Sequence, residues 1–411
     1  MVANLSSPGR TIPPIVSVDD HVIEPPDLWQ RWLPARFRDA GPKVVEAPYV
    51  LRQNDGGTYV SRSESGPLTD FWAYEDRSIA IPGGMVAVGR PNDAVTQDPV
   101  RFRDMRPGAY ELKARLADMD VNHIERSLCF PSFPRFCGQT FLEARDRDLA
   151  LACVQAYNDW MVEEWSGESG GRLIPLCLIP LWDVELAAAE IRRNGARGVR
   201  AVAFSELPAR LGLPSMHTPE RYWDPFFAAC EETGTVVCMH IGSSSQFLTS
   251  SEDAPMVVKL ALTTLNSQIS LADWLLSGVM ARFTHLKIAY SESQIGWMPY
   301  LLERIDRLWE DSHALAQISS EIDRRPSEYF ANRVFGCFFE DDFGLHNREF
   351  IGIDQITFES DYPHQDSTWP NTEAYAAKAM AELTDEEIFK IVRGNAIELF
   401  GLDEDLDAGG I

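Results

Sequence analysis

Basic residues are scarce in this chain: 37 Lys and Arg stand against 62 Asp and Glu, a formal net charge of -25. A surface that negative repels phosphate backbones and anionic headgroups, so neither nucleic acid nor a membrane is an expected partner. An anionic small molecule is not excluded, because a metal or an arginine inverts the field inside one pocket. No apolar run approaches the ~18 residues of a membrane span, and residues 1–14 carry no apolar core of a secretory signal. The seven cysteines form no CxxC pair and are odd in number, which argues against a disulfide framework or a zinc ribbon. Cys129, Cys177 and Cys238 sit in apolar runs, where free cysteine acts as a small hydrophobe. A reducing, cytoplasmic location is expected. No internal repeat is visible, and no GxGxxG follows any strand-like run, which weakens a dinucleotide-binding sheet as the reading.

What is present is a recurring rhythm of short apolar runs and longer stretches of helical period. The runs span residues 15–18, 127–133, 173–181, 201–204, 235–241, 286–290, 334–339 and 355–358. They are rich in Val, Ile, Leu and Phe without strict alternation, as expected of parallel strands covered on both faces. Helices are predicted over 146–165, 184–194 (closed by Gly195), 222–233 (closed by Gly234), 255–277 and 384–399, and near 115–120. Thr384 and Glu387 have the spacing of a capping box. Eight strands alternating with helices predict an α/β fold, a (β/α)₈ TIM barrel, with a doubly wound sheet as the alternative. The 411 residues, 45% hydrophobic, suffice for one domain over 1–411.

One region breaks the rhythm. Residues 41–108 form a long insertion after the first strand, with a hairpin signal at 49–52 and 58–62 around Asn54, Asp55, Gly56 and Gly57. At that point of a barrel it would cap the catalytic face or form an interface. Trp72 and Tyr74 within it are read as core residues before pocket walls. The acidic tail 401–411 reads as a solvated end.

Three strand ends carry ligand-type side chains. Asp19 and His21 are two apart on the first strand and so share a face, directed at the barrel axis, while Asp20 points outward. His240 ends the fifth run and is followed by the small residues of Gly242–Ser245. Asp361 follows the eighth run, where a carboxylate is costly to bury unless paired or ligated. Convergence of an imidazole and a carboxylate pair at the C-terminal mouth of a barrel is the usual setting of a metal site.

The segments VDDHVIEPPDLW, YNDWMVEEW, RLIPLCLIPLW, HIGSSS, GWMPYLLERID and FESDYPH together make the chain resemble the decarboxylase-like branch of the amidohydrolase superfamily, the branch of aminocarboxymuconate-semialdehyde decarboxylase and γ-resorcylate decarboxylase. The likeness runs from Val16 to Phe400. It implies a divalent metal, zinc first and iron or manganese next, held by Asp19, His21, His240 and Asp361. Asp361 would also act as proton acceptor. Glu24 is a further ligand candidate or an orienter of His21. Many members carry a His after strand six; here the position reads Glu292, taken as the substitute acid or base, with pairing to Arg304 as the alternative. Strand four offers no Lys for a bridging carbamate; Glu206 is read first as a hydrogen-bonding or structural residue, with direct bridging of two metals as the alternative. His364 is expected at the pocket mouth, and His123, His217, His285, His313 and His346 on the surface.

The function implied is a metal-dependent hydrolase or carboxy-lyase for a small cyclic, aromatic or carboxylic acid. Two alternatives stand beside it: an oxygen-activating iron or iron–manganese hydroxylase with a dinuclear site, and a catalytically silent structural subunit. Resembling enzymes associate, so a homo-oligomer is expected, or a hetero-oligomer with a related barrel subunit.

Overall fold

The computed structural model describes residues 10–54, 57–91, 94–311 and 318–403. His313, part of the hairpin turn at 55–56 and nearly all of the acidic tail lie outside these residues. In chain order the strands are β1 (Ile15–Val22), β2 (Lys43–Asn54), β3 (Gly57–Arg62), β4 (Leu68–Tyr74), β5 (Arg77–Ala80), β6 (Ile124–Pro131), β7 (Leu173–Ile174), β8 (Leu176–Cys177), β9 (Ala201–Ala203), β10 (Val236–His240), β11 (Ile288–Ser291), β12 (Val334–Phe338) and β13 (Ile356–Phe358).

Each of the eight apolar runs becomes a barrel strand. All pairings in the large sheet are parallel, in the order β7-β6-β1-β13-β12-β11-β10-β9-β8. β7 and β8 are two halves of one strand, split at Pro175, which has no N–H to give the ladder. One half pairs with β6 and the other with β9, so the sheet closes into an eight-stranded barrel. The strands are buried along their length, as a barrel filled inside and covered by helices requires.

Helices form where the apolar period and a capping residue coincide. Asp146 accepts from Asp148 N and Leu149 N and starts Arg147–Trp160, which a π-helical turn continues through Trp165. Asp183 likewise caps Val184–Gly195, and the capping box of Thr384 and Glu387 forms. Gly195 ends up inside the last turn, with Ala196 as the cap. Residues 255–277 do not form one helix but two, Met256–Ala261 and Leu265–Leu276. Thr263 stands at the break, its hydroxyl on the Leu260 carbonyl 3.0 Å away, where it competes with the helical ladder. His123, expected at the surface, is half-buried with Nε2 2.9 Å from the Ile12 carbonyl. His217, His285 and His346 are exposed. All seven cysteines are buried and free. Among the described residues no helix is long and apolar enough to cross a membrane.

The 41–108 region supplies its own antiparallel sheet, β3-β2-β4-β5. Alternation along β4 sends Phe71 into a small cluster with Ala47 and Ala80, and Trp72 and Tyr74 toward the barrel. Trp72 packs on Trp29 and Phe133, each at 5.0–5.1 Å between ring centroids. Both Trp72 and Tyr74 are core residues. Truncating Trp72 to Ala removes the joint between the two sheets and is expected to cost about 3–5 kcal/mol. The guanidinium unfolding midpoint measures it, and a loss below about 1 kcal/mol would show that the insertion packs independently of the barrel.

Candidate metal centre

The ligand cluster is assembled by main-chain pairing before any side chain takes part. Beyond β13 the chain continues beside β1: Asp361 N–H donates to the Asp19 carbonyl at 3.0 Å, and His21 N–H to the Tyr362 carbonyl at 2.6 Å. Asp20, on the opposite face of β1, is buried and ties the same elements together. Its Oδ1 accepts from Ser17 Oγ, Ser360 Oγ and Tyr362 N at 2.7–3.1 Å, and its Oδ2 from Ser127 Oγ. Arg115, also buried, donates to the His21 and Gly108 carbonyls. Asp361 and Glu292 both adopt left-handed backbone, φ 53° and 55°. Each such non-glycine residue costs on the order of 1 kcal/mol and is held only where its surroundings over-determine it.

Within this frame the structure brings Asp19, His21, His240 and Asp361 together at the C-terminal mouth of the barrel. His21 Nε2 lies 3.3 Å from Asp361 Oδ1, 3.8 Å from Asp19 Oδ1 and 3.2 Å from His240 Nε2. His240 Nε2 lies 3.5 Å from Asp19 Oδ2 and 3.4 Å from Glu292 Oε2. His240 Nδ1 sits 2.6 Å from the Ile241 carbonyl, which sets the tautomer with the Nε2 lone pair facing the cluster. His364 joins them: Nδ1 is 2.9 Å from Asp361 Oδ1 and its ring stacks on His21 at 3.7 Å. Glu292 faces His240, whereas Arg304 is exposed on its helix, so the arginine pairing is not the one formed.

The donor set fits a divalent cation. Both oxygens of Asp19 and both of Asp361 are buried, and apart from the imidazoles of the cluster none meets a hydrogen-bond donor. Burial and the surrounding carboxylates Glu359, Glu292 and Asp361 push Asp19 well above the usual carboxylate range, and burial, Asp366 and Glu359 do the same to Asp361. Burial pushes His240 down to about 3 and His21 well below its ordinary value, which favours the neutral, ligating imidazole.

Two candidates stand apart. Glu24 accepts from Ser132 N and Phe133 N at 3.0 and 2.8 Å, so its carboxylate holds the loop after β6, and His21 Nδ1 takes no bond from it. Glu206 Oε1 accepts from Gly242 N, Ser244 Oγ and Asn266 Nδ2. Its Oε2 is buried without a partner, and among the described residues its atoms belong to none of the close groups of ligand atoms.

Several residues at the site were not anticipated. Glu359 and Cys337 lie beside Asp19, and Asp366 beside Asp361 and Glu292. Glu359 had a signal, since it precedes Asp361 by two and shares its face. Phe136 had none: it comes from the loop after β6 and stacks on His240 at 4.1 Å. That approach needs Gly242, whose φ is +82° and whose added Cβ would lie 3.0 Å from Phe136 and 2.9 Å from Phe247.

A (β/α)₈ barrel with buried imidazoles and carboxylates converging at its C-terminal mouth defines a class of metal-dependent barrel enzymes. The chain belongs to the amidohydrolase family, whose model matches residues 65–402; β1 with Asp19 and His21 precedes that span. No curated protein sequence matches. Among solved structures the chain is similar to an amidohydrolase from Mycobacterium avium subsp. paratuberculosis K-10, with 23% identity, TM-score 0.68, and 95% of this chain and 99% of that one covered. It is similar to 5-carboxyvanillate decarboxylase from Novosphingobium aromaticivorans DSM 12444, solved with manganese and 4-hydroxy-3-methoxy-5-nitrobenzoic acid, with 19% identity, TM-score 0.56, and 72% and 81% covered. It is also similar to 2,6-dihydroxybenzoate decarboxylase from Rhizobium, with 17% identity, TM-score 0.57, and 95% and 99% covered. At these identities the likeness is one of fold.

Glu24 yields a pH prediction free of the ligands. Burial outweighs its two backbone bonds and raises the carboxyl from 4.5 to about 7 in the folded protein. Between those values the folded chain binds the extra proton, so stability falls as pH rises through that window, by up to about 3 kcal/mol from this group. Glu24→Gln should shrink the difference in unfolding free energy between pH 5 and pH 8, measured in chelator. An unchanged difference would show that Glu24 ionises as freely folded as unfolded.

Proposed function

We propose that the protein is a metal-dependent carboxy-lyase of a small aromatic or cyclic carboxylic acid. The observation that carries this reading is a buried group of Asp19, His21, His240 and Asp361 with orphaned carboxylate oxygens, set beneath aromatic walls. Phe136 stacks on His240, and Phe130 lies 5.0 Å from the same ring, a setting that suits a flat ring better than a flexible chain. The decarboxylases of similar fold, one holding manganese and a substituted benzoic acid, add support.

A divalent metal bound by Asp19, His21, His240 and Asp361 would supply Lewis-acid binding of the substrate carboxylate and an adjacent oxygen. Zinc is the proposed ion, and the carboxylate-rich donor set also suits manganese or iron. In the reaction the bond from the ring carbon to the carboxyl carbon breaks, a proton is added at the ring carbon and CO₂ leaves. Glu292, at the rim and facing His240, is placed to deliver that proton, and His364 to hold a proton against Asp361 Oδ1. Hydrolysis of a cyclic amide or ester is the second reading, favoured by the same Asp361–His364 contact, which makes a proton acceptor for water. In both readings the proposed role of the 41–108 insertion is to cap the catalytic face, supported by Val88 N–H, which donates to the Pro363 carbonyl at 3.1 Å, two residues from Asp361.

The test is a panel of hydroxylated and methoxylated benzoic acids and their lactone or amide counterparts, with CO₂ release and acid production followed separately. CO₂ release that falls about 100-fold or more in Asp361→Asn and in His240→Ala is the expected result. Acid production without CO₂ would install the hydrolase reading, and CO₂ release unaffected by both substitutions would remove the site from the reaction.

A further inference from the structure

In so acidic a chain an arginine that faces a cavity has carboxylates to pair with, and two cavities show it doing so. In one of about 730 Å³ at the N-terminal end of the barrel, Arg172 lies 2.6 Å from Asp120 and Arg393 2.8 Å from Glu125. In another of about 840 Å³, Arg221 bonds Glu321, and Arg282 bonds Glu321 and Asp224 at 2.7 and 2.8 Å. A third cavity, of about 590 Å³, breaks this pattern. It is built from the chain after β6, β8, β9 and β10, so it opens on the same C-terminal face as the metal cluster. Two guanidiniums line it, and neither meets a carboxylate. Arg147 gives Nη1 to the Phe141 and Leu142 carbonyls at 3.4 and 2.7 Å and lies over the Trp182 ring, 4.9 Å from its centroid. Arg210 gives Nη1 to Asn266 Oδ1 at 2.6 Å. Nε and Nη2 of both side chains have no acceptor among the described residues.

The acids nearby are engaged elsewhere. Glu143, the one acid in the lining, is taken by Arg77 and Arg135 at 3.0 and 2.7 Å, and Asp146 caps its own helix. Carbonyls and an amide oxygen orient a guanidinium but leave its charge uncancelled, and its remaining fork of N–H donors matches a carboxylate. The rest of the lining says what kind of anion fits. Trp182, Leu211, Leu213 and Pro214 supply an apolar wall that a bare inorganic ion would leave unused, and the volume falls within the ~300–1,000 Å³ of small-molecule sites. The cavity also shares elements with the metal centre. Ser245, in its lining, closes the Gly242–Ser245 loop that follows His240 and accepts from Arg135, whose neighbour Phe136 stacks on His240.

We propose that this cavity is a second ligand site, separate from the metal centre, which binds a small organic carboxylate with an apolar or aromatic body. The open donors of Arg147 and Arg210 hold the charge, and Trp182 and Leu213 face the body. The inference is independent of the metal-site reading and of the reaction performed there. Losing one charge-assisted donor pair to a bound carboxylate weakens binding by about 10-fold or more. Because the apolar wall contributes as well, an inorganic anion of similar charge binds more weakly than an aromatic one.

The experiment is calorimetric titration of benzoate into the full zinc-loaded chain and into His240→Ala, the second to set aside binding at the metal centre. Arg147→Gln and Arg210→Gln are then made in the His240→Ala background, with Arg304→Gln, an exposed arginine outside the cavity, as the control for general charge. Circular dichroism and the melting temperature report on folding. The expected result is one benzoate site that survives His240→Ala, weakens about 10-fold or more in Arg147→Gln and in Arg210→Gln, and stays within about twofold in Arg304→Gln. If Arg210→Gln does not fold, because its bond to Asn266 is lost, Leu213→Glu takes its place: a carboxylate set in the cavity is expected to abolish the site. No benzoate bound in His240→Ala overturns the proposal, and so does binding that neither arginine substitution changes. Inorganic phosphate that displaces benzoate at equal concentration would also overturn it, leaving a simple anion site that makes no use of the apolar wall. None of these outcomes bears on metal binding at Asp19, His21, His240 and Asp361.

Discussion

The structure depends on one electrostatic constraint: carboxylates are gathered inside a barrel mouth where they act on one another and face imidazoles and no arginine or lysine salt bridge. The largest charges that bear on Asp19 and on Asp361 are those of other carboxylates. Buried like charges of this kind are tolerated only with protons or with a cation among them. Elsewhere in the chain the rule is the ordinary one, with acids paired to arginines: Asp118 with Arg106, Asp224 with Arg282, Glu125 with Arg393. In a chain with a net charge of -25, a cluster whose main electrostatic neighbours are other carboxylates is the ground on which a cation site is proposed.

Rigidity at the site comes from what lies around it. The backbone pairs Asp361 N–H with Asp19 O and His21 N–H with Tyr362 O, Asp20 gathers three serines and an amide on the outer face of β1, and Arg115 holds the His21 carbonyl. These contacts hold Asp361 in a left-handed conformation that a carboxylate residue rarely takes. Helices that open with Asp146, Asp183 and Thr384 caps then lock the strands from outside. Ligand precision is thus a property of strand ends, not of mobile loops.

Much of this was legible in the sequence because it follows local rules. Parallel strands buried on both faces read as apolar runs, and all eight were found. Period-two alternation placed Asp19 and His21 on one face, and Asp361 and His240 stood out because each ends an apolar run with a group that is costly to bury. What was not legible is tertiary. The helix over 255–277 breaks at residues 262–264, where Thr263 bonds the Leu260 carbonyl, and Pro175 divides a strand without ending it. Glu24 and Glu206 lie just beyond β1 and β9, yet Glu24 is turned to the amides of Ser132 and Phe133 and Glu206 to Gly242 N–H, Ser244 and Asn266. Phe136 reaches His240 from a loop with no pattern of its own. Cys337 had only the signature of a core residue until the fold set it beside Glu359.

The measurement that tests the central claim most directly is anomalous diffraction from crystals of the protein, at the absorption edge of the metal found in the purified protein or, if it carries none, of zinc soaked into the crystals. The account predicts one strong peak per chain, about 2.0–2.3 Å from donor atoms of Asp19, His21, His240 and Asp361. No peak at the cluster after soaking, or a peak seated at Glu206 or Glu24, would contradict it.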